Sequence, residues 1–551
     1  MTAQEVRAQL KLMKDRKAAD SQGIVAEMLK NSEDGALDLI AHLFTDVLKA
    51  DMEAPSQWSR TIMQVLFKKG DPKLAENYRP ISALPIIYKL FSKVVLARMR
   101  QGLESEQSCD QAGFRSTFAC EDHLFAISML AEKHLEWQRP LWVVTVDFKK
   151  AFDTIGHTCL WKALLEQGAA PLYVDVFRRL YQMQTAVVKC DRESKAFDVQ
   201  RGTKQGDPIS PTFFNAALEK VMRELKRKWS SERRGIDVDG DSLTNLRFAD
   251  DVLLVCKSLR EATVMLDDLR REAARVGLEV HFDKTKILSN GIGHGQLQKS
   301  VDIGGQPVEV VPAKEGAMYL GKLMALVEGH EVELQHRITR GWRKFMTFKK
   351  DLCDRTFPID QRFRLFNAVV TPTVLYGCGT WAMTTTRERA LKTAQRRMLR
   401  MMLGRPRQTR TAQASESSSE RSEEEVEMAE DELEVESWVA WVRRVIAEAE
   451  LVMSRLEIPD WVTEQRRRKW SWAGHIARRT DGRWTRKILE YQPEGTRAQR
   501  RPFTRWETSL DAFIWRSFGH DNAAGSWKEL AHDSDSWRLM TDAFANCTDN
   551  E

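Results

Sequence analysis

Apolar residues recur along the chain at two periods, and the switches between them lay out its elements. Ala36, Leu37, Leu39, Ile40, Leu43, Val47 and Leu48 repeat at three- and four-residue spacing, predicting a helix within 24–50 after another over 3–17. Further helical patterns cover 84–102, 121–134, a segment from about His157, 210–227 and 259–276. Short β-rich runs break this series at 60–69, at 141–147, which ends on Asp147, and at 243–257. The last reads L-T-N-L-R-F-A-D-D-V-L-L-V-C-K. Leu246, Phe248, Val252, Leu253, Leu254 and Val255 favour strand on both sides of Ala249-Asp250-Asp251, predicting a hairpin with two acids at its tip. Residues 331–403 and 438–545 return to helical patterns. Between them, 408–437 is Ser/Glu-rich low complexity and predicts a disordered linker. Helices interspersed with short strands make this an α+β chain.

Adjacent carboxylates withdrawn from water repel one another, and a divalent cation relieves both costs. Oxygen-only donors point to Mg²⁺ or Mn²⁺. An isolated Asp-Asp pair is more often a solvated turn, but Asp147 changes the weighing. An acid ending a neighbouring strand completes a three-carboxylate set that suits a two-cation clamp, with ions roughly 3.5–4 Å apart. Lys68 and Lys69 on a Gly-Pro loop, with Arg79 nearby, suit a triphosphate, lysine as point charge and arginine as fork; alone they read equally as a solvated basic loop. Arg201 to Pro211 is a glycine- and proline-punctuated turn opening a helix. There Gly206 lets backbone approach a ligand closely while the Gln205 amide reads it.

Charge sharpens the choice of partner. The 551 residues carry a net charge of +6, but eleven acids and one base lie between Ser415 and Glu436. Setting that −10 aside leaves +16 on the remainder, which argues for a polyanionic partner. Residues 387–407 hold eight bases and one acid, and 465–505 hold thirteen bases and three acids with Trp470, Trp472 and Trp484, Trp506 following directly. Tryptophan interleaved with arginine suits stacking on unpaired bases, and equally a small helical core with snorkelling arginines. Arg466-Arg467-Arg468-Lys469 reads as a nuclear signal or a phosphate-contacting patch. The eight cysteines are scattered without zinc spacing, so buried reduced thiols are expected. With no signal-peptide pattern and no apolar run near ~18 residues, the expectation is a soluble intracellular protein, nuclear or cytoplasmic, with no membrane partner.

Six segments occur together and in order: Asn77-Tyr-Arg-Pro-Ile-Ser82, Gln111-Ala-Gly-Phe-Arg115, Asp147-Phe-Lys-Lys-Ala-Phe-Asp153, Lys204-Gln-Gly-Asp-Pro-Ile-Ser-Pro211, Phe248-Ala-Asp-Asp251 and Gly277 through Lys286. Jointly they resemble the reverse transcriptases of non-LTR (LINE-type) retrotransposons over roughly residues 5–325, and more loosely over 331–405. The resemblance implies a right-hand polymerase fold: fingers over 1–140, palm over 141–325, helical thumb over 331–405, the disordered acidic linker 408–437 and a small helical C-terminal domain over 438–551. It implies an RNA-directed DNA polymerase that adds dNTPs to a DNA primer 3′-OH on an RNA template. Asp147 and Asp250 would be the principal ligands of two Mg²⁺ ions, Mn²⁺ being an alternative, with Asp251 completing the cluster. One ion would activate the 3′-OH and the other would hold the triphosphate and leaving pyrophosphate.

By the same resemblance Phe152 is a steric gate against a ribose 2′-OH, and Gln205 and Gly206 pack beside the incoming nucleotide and templating base. Arg79 with Lys68 or Lys69 contacts the triphosphate, Lys284 approaches the pyrophosphate as a proton donor, and Tyr319-Leu-Gly321 is the primer-grip strand. Phe248 stands where many reverse transcriptases carry tyrosine, and His281 where relatives often have asparagine. Autonomous elements of this kind also carry an endonuclease. This sequence begins almost at the fingers and its tail has no Cys/His cluster or obvious nuclease acids, so the expectation is that target cutting needs another protein, an existing nick, or sequence lost by truncation. The alternative is a catalytically silent nucleic-acid-binding remnant or domesticated fragment. A group II intron maturase is a third reading, which the Trp/Arg tail disfavours.

Overall fold

The computed structural model describes residues 1–293, 295, 298–411, 433–495, 497, 504–519 and 526–547. The chain divides into two compact units, one formed by 1–321 with 482–498 and the other by 322–481 with 499–551.

In the first unit, six strands form a sheet in the order Ser300–Ile303, Gln306–Val311, Lys286–Ser289, Trp142–Val146, Asp251–Cys256, Asn245–Phe248. The central strand Trp142–Val146 is buried throughout and antiparallel to both neighbours, with Val146 opposite Val252 and Thr145 opposite Lys286. Burial on both faces explains its continuous apolar run. Helices Ile86–Ser105, Ser210–Ser231 and Leu259–Arg275 cover the sheet, sharing one core through Phe91, Phe213, Leu269, Val144 and Leu254. A second sheet runs Tyr78–Ala83, Arg60–Phe67, Thr185–Lys189, Phe197–Asp198. Pro80 lies in its edge strand opposite Val65, where a missing N–H costs no ladder bond.

The α+β class therefore holds, with shorter pieces at the N-terminus than the periodicity predicts. The first helix spans only Ala3–Lys11, and the pattern over 24–50 resolves into Ala26–Lys30 and Asp34–Lys49. Ser32 turns its hydroxyl back to the Leu29 carbonyl, a local bond that competes with helix continuation.

The second unit is helical. Gly329–Thr347, Ile359–Val369, Thr385–Leu403, Trp438–Arg455 and Trp461–Ala477 pack about Leu334, Phe345, Phe366, Met398, Val445 and Trp461. The thumb and C-terminal segments, drawn separately from the sequence, thus share one core. Trp461 explains it: its ring stacks on Phe366 at 5.8 Å and its Nε1 donates to Thr371 Oγ1 at 2.9 Å.

Trp470, Trp484, Trp506 and Trp537 are core residues, Trp472 is half-buried, and Trp438 and Trp515 are exposed. Trp470 and Trp537 stack at 3.7 Å and each donates Nε1 to the other's backbone carbonyl, while buried Trp506 donates to the Gly379 carbonyl. In the basic run, Arg466 pairs with Glu388, Arg467 with Asp542 and Arg468 with Glu464. Of the acidic linker, 412–432 lies outside the described residues, and its flanks Thr409–Thr411 and Leu433–Val435 pair antiparallel. All eight cysteines are free thiols, and no helix among the described residues is long and apolar enough to cross a membrane.

Candidate active site

Asp147 is the first residue beyond the central strand, and the hairpin beside it carries the other two acids. Phe248 pairs with Asp251, so Ala249 and Asp250 make the tip, and Ala249 takes a left-handed conformation at φ +56°. The 146–252 register then sets Asp147 beside the Asp250-Asp251 turn. A third segment closes on the same point: the His281 N–H donates to the Asp147 carbonyl at 2.8 Å, and Lys149 N–H to Glu279. That pairing brings the Lys284 ammonium to 3.7 Å from the Asp147 carboxylate. Gly277 permits it, because a Cβ there would stand 2.7 Å from the Thr154 carbonyl.

The electrostatics are those of crowded acids. Desolvation raises the Asp250 carboxyl above its usual range, with Asp147 adding to the rise and Arg79 and Lys68 opposing it. Asp251 is pushed up to about 6, by desolvation first and then by Asp250 and Asp147, against Lys68. Lys68 and Arg79 therefore face the acids from the edge of the second sheet, where Arg79 pairs with Leu66 and Lys68 N–H bonds the Asn77 carbonyl. Lys69 follows on the same hairpin and is exposed.

Three mutually repelling oxygen donors fit a hard divalent cation in chemistry. In this conformation, among the described residues, no three Asp, Glu, His or Cys side chains are gathered into a ready ligand cage.

The nucleotide-side residues of the sequence reading meet one short helix, Ala151–Thr154. Phe152 stacks on Phe214 at 4.4 Å and meets Phe114 edge-on at 6.3 Å. Next to it, Asp153 Oδ1 accepts from Gln205 Nε2 at 2.8 Å. The Gln205 carbonyl in turn accepts from the Ser82 N–H at 2.8 Å, and Gly206, at φ +114°, passes so close to Ser82 that a Cβ would stand 2.9 Å from its carbonyl. Asp153 and Gln205 line an open cavity of about 680 Å³ with Met63, Ser82, Lys150 and Arg201. Lys204 also lines it, with its ammonium buried on the Trp58 carbonyl and over the Tyr88 ring. Tyr319 is buried with its hydroxyl on the Leu246 carbonyl at 3.5 Å, behind the acidic hairpin.

The sequence reading left Gln111-Ala-Gly-Phe-Arg115 without a role, and the structure supplies one. Buried Gln111 accepts through Oε1 from Gly113 N–H at 2.8 Å and Ala249 N–H at 2.9 Å. Asn215 Nδ2 holds the Gly113 carbonyl at 2.8 Å, and the Arg247 carbonyl accepts from Ala112 N–H at 2.8 Å. A Cβ on Gly113 would stand 2.3 Å from the Ala249 nitrogen. The glycine in that motif was the available signal, since it marks a close backbone approach.

Residues 482–498 join the same unit from the tail. Buried Arg483 pairs with buried Asp122 at 2.9 Å and covers the Phe118 ring, and Trp484 Nε1 donates to Asp110 Oδ1 at 2.7 Å. Asp110 is adjacent to Gln111 and its carbonyl accepts from Arg247 N–H, so this segment packs behind the acidic hairpin.

Residues 67–322 match the family described as reverse transcriptase (RNA-dependent DNA polymerase). The chain is 27% identical over 214 residues to the Pol polyprotein of the type-2 retrotransposable element R2DM of Drosophila melanogaster, covering 38% of this chain and 20% of that one. It is 22% identical over 433 residues to the RNA-directed DNA polymerase from mobile element jockey of Drosophila funebris, covering 75% and 45%. The chain thus spans a fifth to about half of the length of these relatives. Among solved structures, telomerase from Candida albicans in complex with a fragment of telomeric RNA aligns with TM-score 0.38 at 14% identity over 66% of each chain. Reverse transcriptases use divalent metal ions. Over residues 67–322 the chain thus matches the reverse transcriptase family, and the relatives it resembles are proteins of retrotransposable elements such as R2 and jockey.

Proposed function

We propose that the chain is an RNA-directed DNA polymerase that extends a DNA primer 3′-OH with dNTPs on an RNA template, using two Mg²⁺ ions that Mn²⁺ can replace. The observation that carries this reading is the meeting of Asp147, Asp250 and Asp251 at one end of the central strands of the region that matches the reverse transcriptase family.

Asp147 and Asp250 are the residues proposed to hold the ions, with Asp251 in support. When bound, the ions would supply Lewis-acid activation of the 3′-OH and stabilise charge on the phosphates. The chain's own groups would do the rest. Lys68 and Arg79, whose charges Asp250 feels, supply the cationic side of a triphosphate site, with Lys69 beside them. Lys284 lies 3.7 Å from Asp147 and is the proposed proton donor to a leaving phosphate. Phe152 blocks a ribose 2′-OH, and Gln205 with Gly206 packs against the nascent base pair. The priming 3′-OH is proposed to come from an endonuclease acting in trans or from an existing nick.

The test is magnesium-dependent primer extension on a primed RNA template. Asp250→Ala and Asp147→Ala should each reduce incorporation by about 10³-fold or more. Wild-type incorporation no greater than that of these variants, with template binding retained, would replace this reading with the nucleic-acid-binding remnant.

A further inference from the structure

We propose that Phe114 is a specificity-determining residue: it props the Phe152 ring in its gating position and so sets the discrimination between deoxynucleotides and ribonucleotides. The proposal rests on Phe152 being the gate.

Three observations converge on Phe114. Its backbone takes φ +59°, a left-handed conformation that bulky residues adopt only under constraint. Its side chain is 55% exposed, so the strain is not offset by burying the ring. Its ring nevertheless meets Phe152 edge-on, with ring planes at 89°, a favourable aromatic geometry. A strained, exposed phenyl is a poor choice for packing and a sensible one for a surface that acts on a bound ligand.

The loop around it is built to hold that position. Gln111 and Asn215 fix Gly113 on one side. On the other, Arg115 Nη1 donates to the Ser108 carbonyl at 2.8 Å and the Gln111 carbonyl at 3.0 Å. Both neighbours of Phe114 are thus pinned and its ring alone is left projecting. Phe152 thus has two ring neighbours: buried Phe214 stacks on it, and Phe114 meets it edge-on. Remove Phe114 and the gate ring keeps Phe214 but loses its edge-on partner, and with it a restraint against turning away from an added hydroxyl. The immovable Phe214 cannot compensate, because it lies in the core.

The experiment uses the full chain in single-nucleotide extension on a primed RNA template, comparing kcat/KM for a dNTP with that for the matching rNTP. Phe114→Ala and Phe114→Gly should each lower the dNTP preference about tenfold or more, mainly by lowering KM for the ribonucleotide, while Phe114→Leu retains most of it. Phe114→Gly should melt at the wild-type temperature or above, because glycine relieves the left-handed strain. That combination separates positioning from a folding defect. Adding Phe114→Ala to Phe152→Ala should change the ratio no further.

An unchanged ratio in Phe114→Ala alongside a collapsed ratio in Phe152→Ala would overturn this inference alone. An unchanged ratio in Phe152→Ala would remove the gate itself. A lower preference in Phe114→Ala that adds to that of Phe152→Ala would overturn the propping, since the two rings would then act separately.

Discussion

One carboxamide oxygen of Gln111 accepts hydrogen bonds from two backbone N–H groups, those of Gly113 and Ala249, 138 residues apart from its own position in the second case. Ala249 is the left-handed tip residue of the acidic hairpin, so Gln111 holds the backbone that aims Asp250 and Asp251. Gln111→Ala should leave both buried donors unpaired and cost about 1–3 kcal/mol. The turn would relax, and extension activity should fall by roughly 10²-fold, since small displacements of reacting groups are costly. Denaturant unfolding beside primer extension measures both. Wild-type activity in a variant destabilised by that amount would show that the turn holds itself.

Gly113 gives a stricter test of the same contact. A Cβ placed 2.3 Å from the Ala249 nitrogen meets backbone, which cannot swing aside. Gly113→Ala should destabilise by about 1–3 kcal/mol or more. It should also lower activity beyond the loss in stability, because the displaced atom belongs to the hairpin tip. A variant as stable as wild type would mean that the two loops separate easily.

These two contacts mark the boundary of what the sequence discloses. Asp147, Asp250 and Asp251 are legible because each sits where a strand-forming run stops, and strand ends are local features. Phe152 enters only through resemblance; Gln205 is visible in its glycine-punctuated turn, but its hydrogen bond to Asp153 has no local sign. Gln111 is in the same position: its motif is visible, but its partner is remote in sequence. For the tryptophan-rich tail, composition is equally compatible with base stacking and with a core. The choice is made by partners such as Trp537 and Gly379, which no periodicity identifies. The break between Ala26–Lys30 and Asp34–Lys49 is missed because a single serine side chain competes with the backbone there.

The tail segment 482–498 should matter to the polymerase unit although the family match ends at 322. Arg483 and Asp122 are 1% and 3% exposed, so Arg483→Ala leaves a buried carboxylate without its cation, a loss of about 3–5 kcal/mol. Trp484→Phe removes a donor from Asp110, which retains Lys226 at 2.8 Å, and leaves a small cavity where the indole was buried, so about 1–2 kcal/mol is expected. Differential unfolding of the full chain checks the order. Equal stability of Arg483→Ala and wild type would show that the segment is not part of the polymerase core.

The acidic pair should oppose folding in the absence of metal, with a pH dependence whose sign is fixed. Asp251 is raised from 3.8 to about 6, so its neutral form is favoured in the folded protein. Below about pH 4 the group is protonated whether folded or not and contributes nothing. Between about 4 and 6 the unfolded chain ionises first, and the folded state loses stability as pH rises. Above about 6 the penalty is constant. Asp251→Asn, measured without divalent ions, should therefore melt on the order of 2 °C higher than wild type at pH 8 and at the same temperature near pH 3.5. The side chain keeps access to water, which holds the effect to that size. Adding Mg²⁺ at pH 8 should reverse the order, since an ion that binds only the folded wild-type cluster stabilises it by mass action. A variant that melts below wild type at pH 8 without metal would mean that Asp251 makes a favourable contact in the empty site, one strong enough to outweigh the repulsion among the three acids.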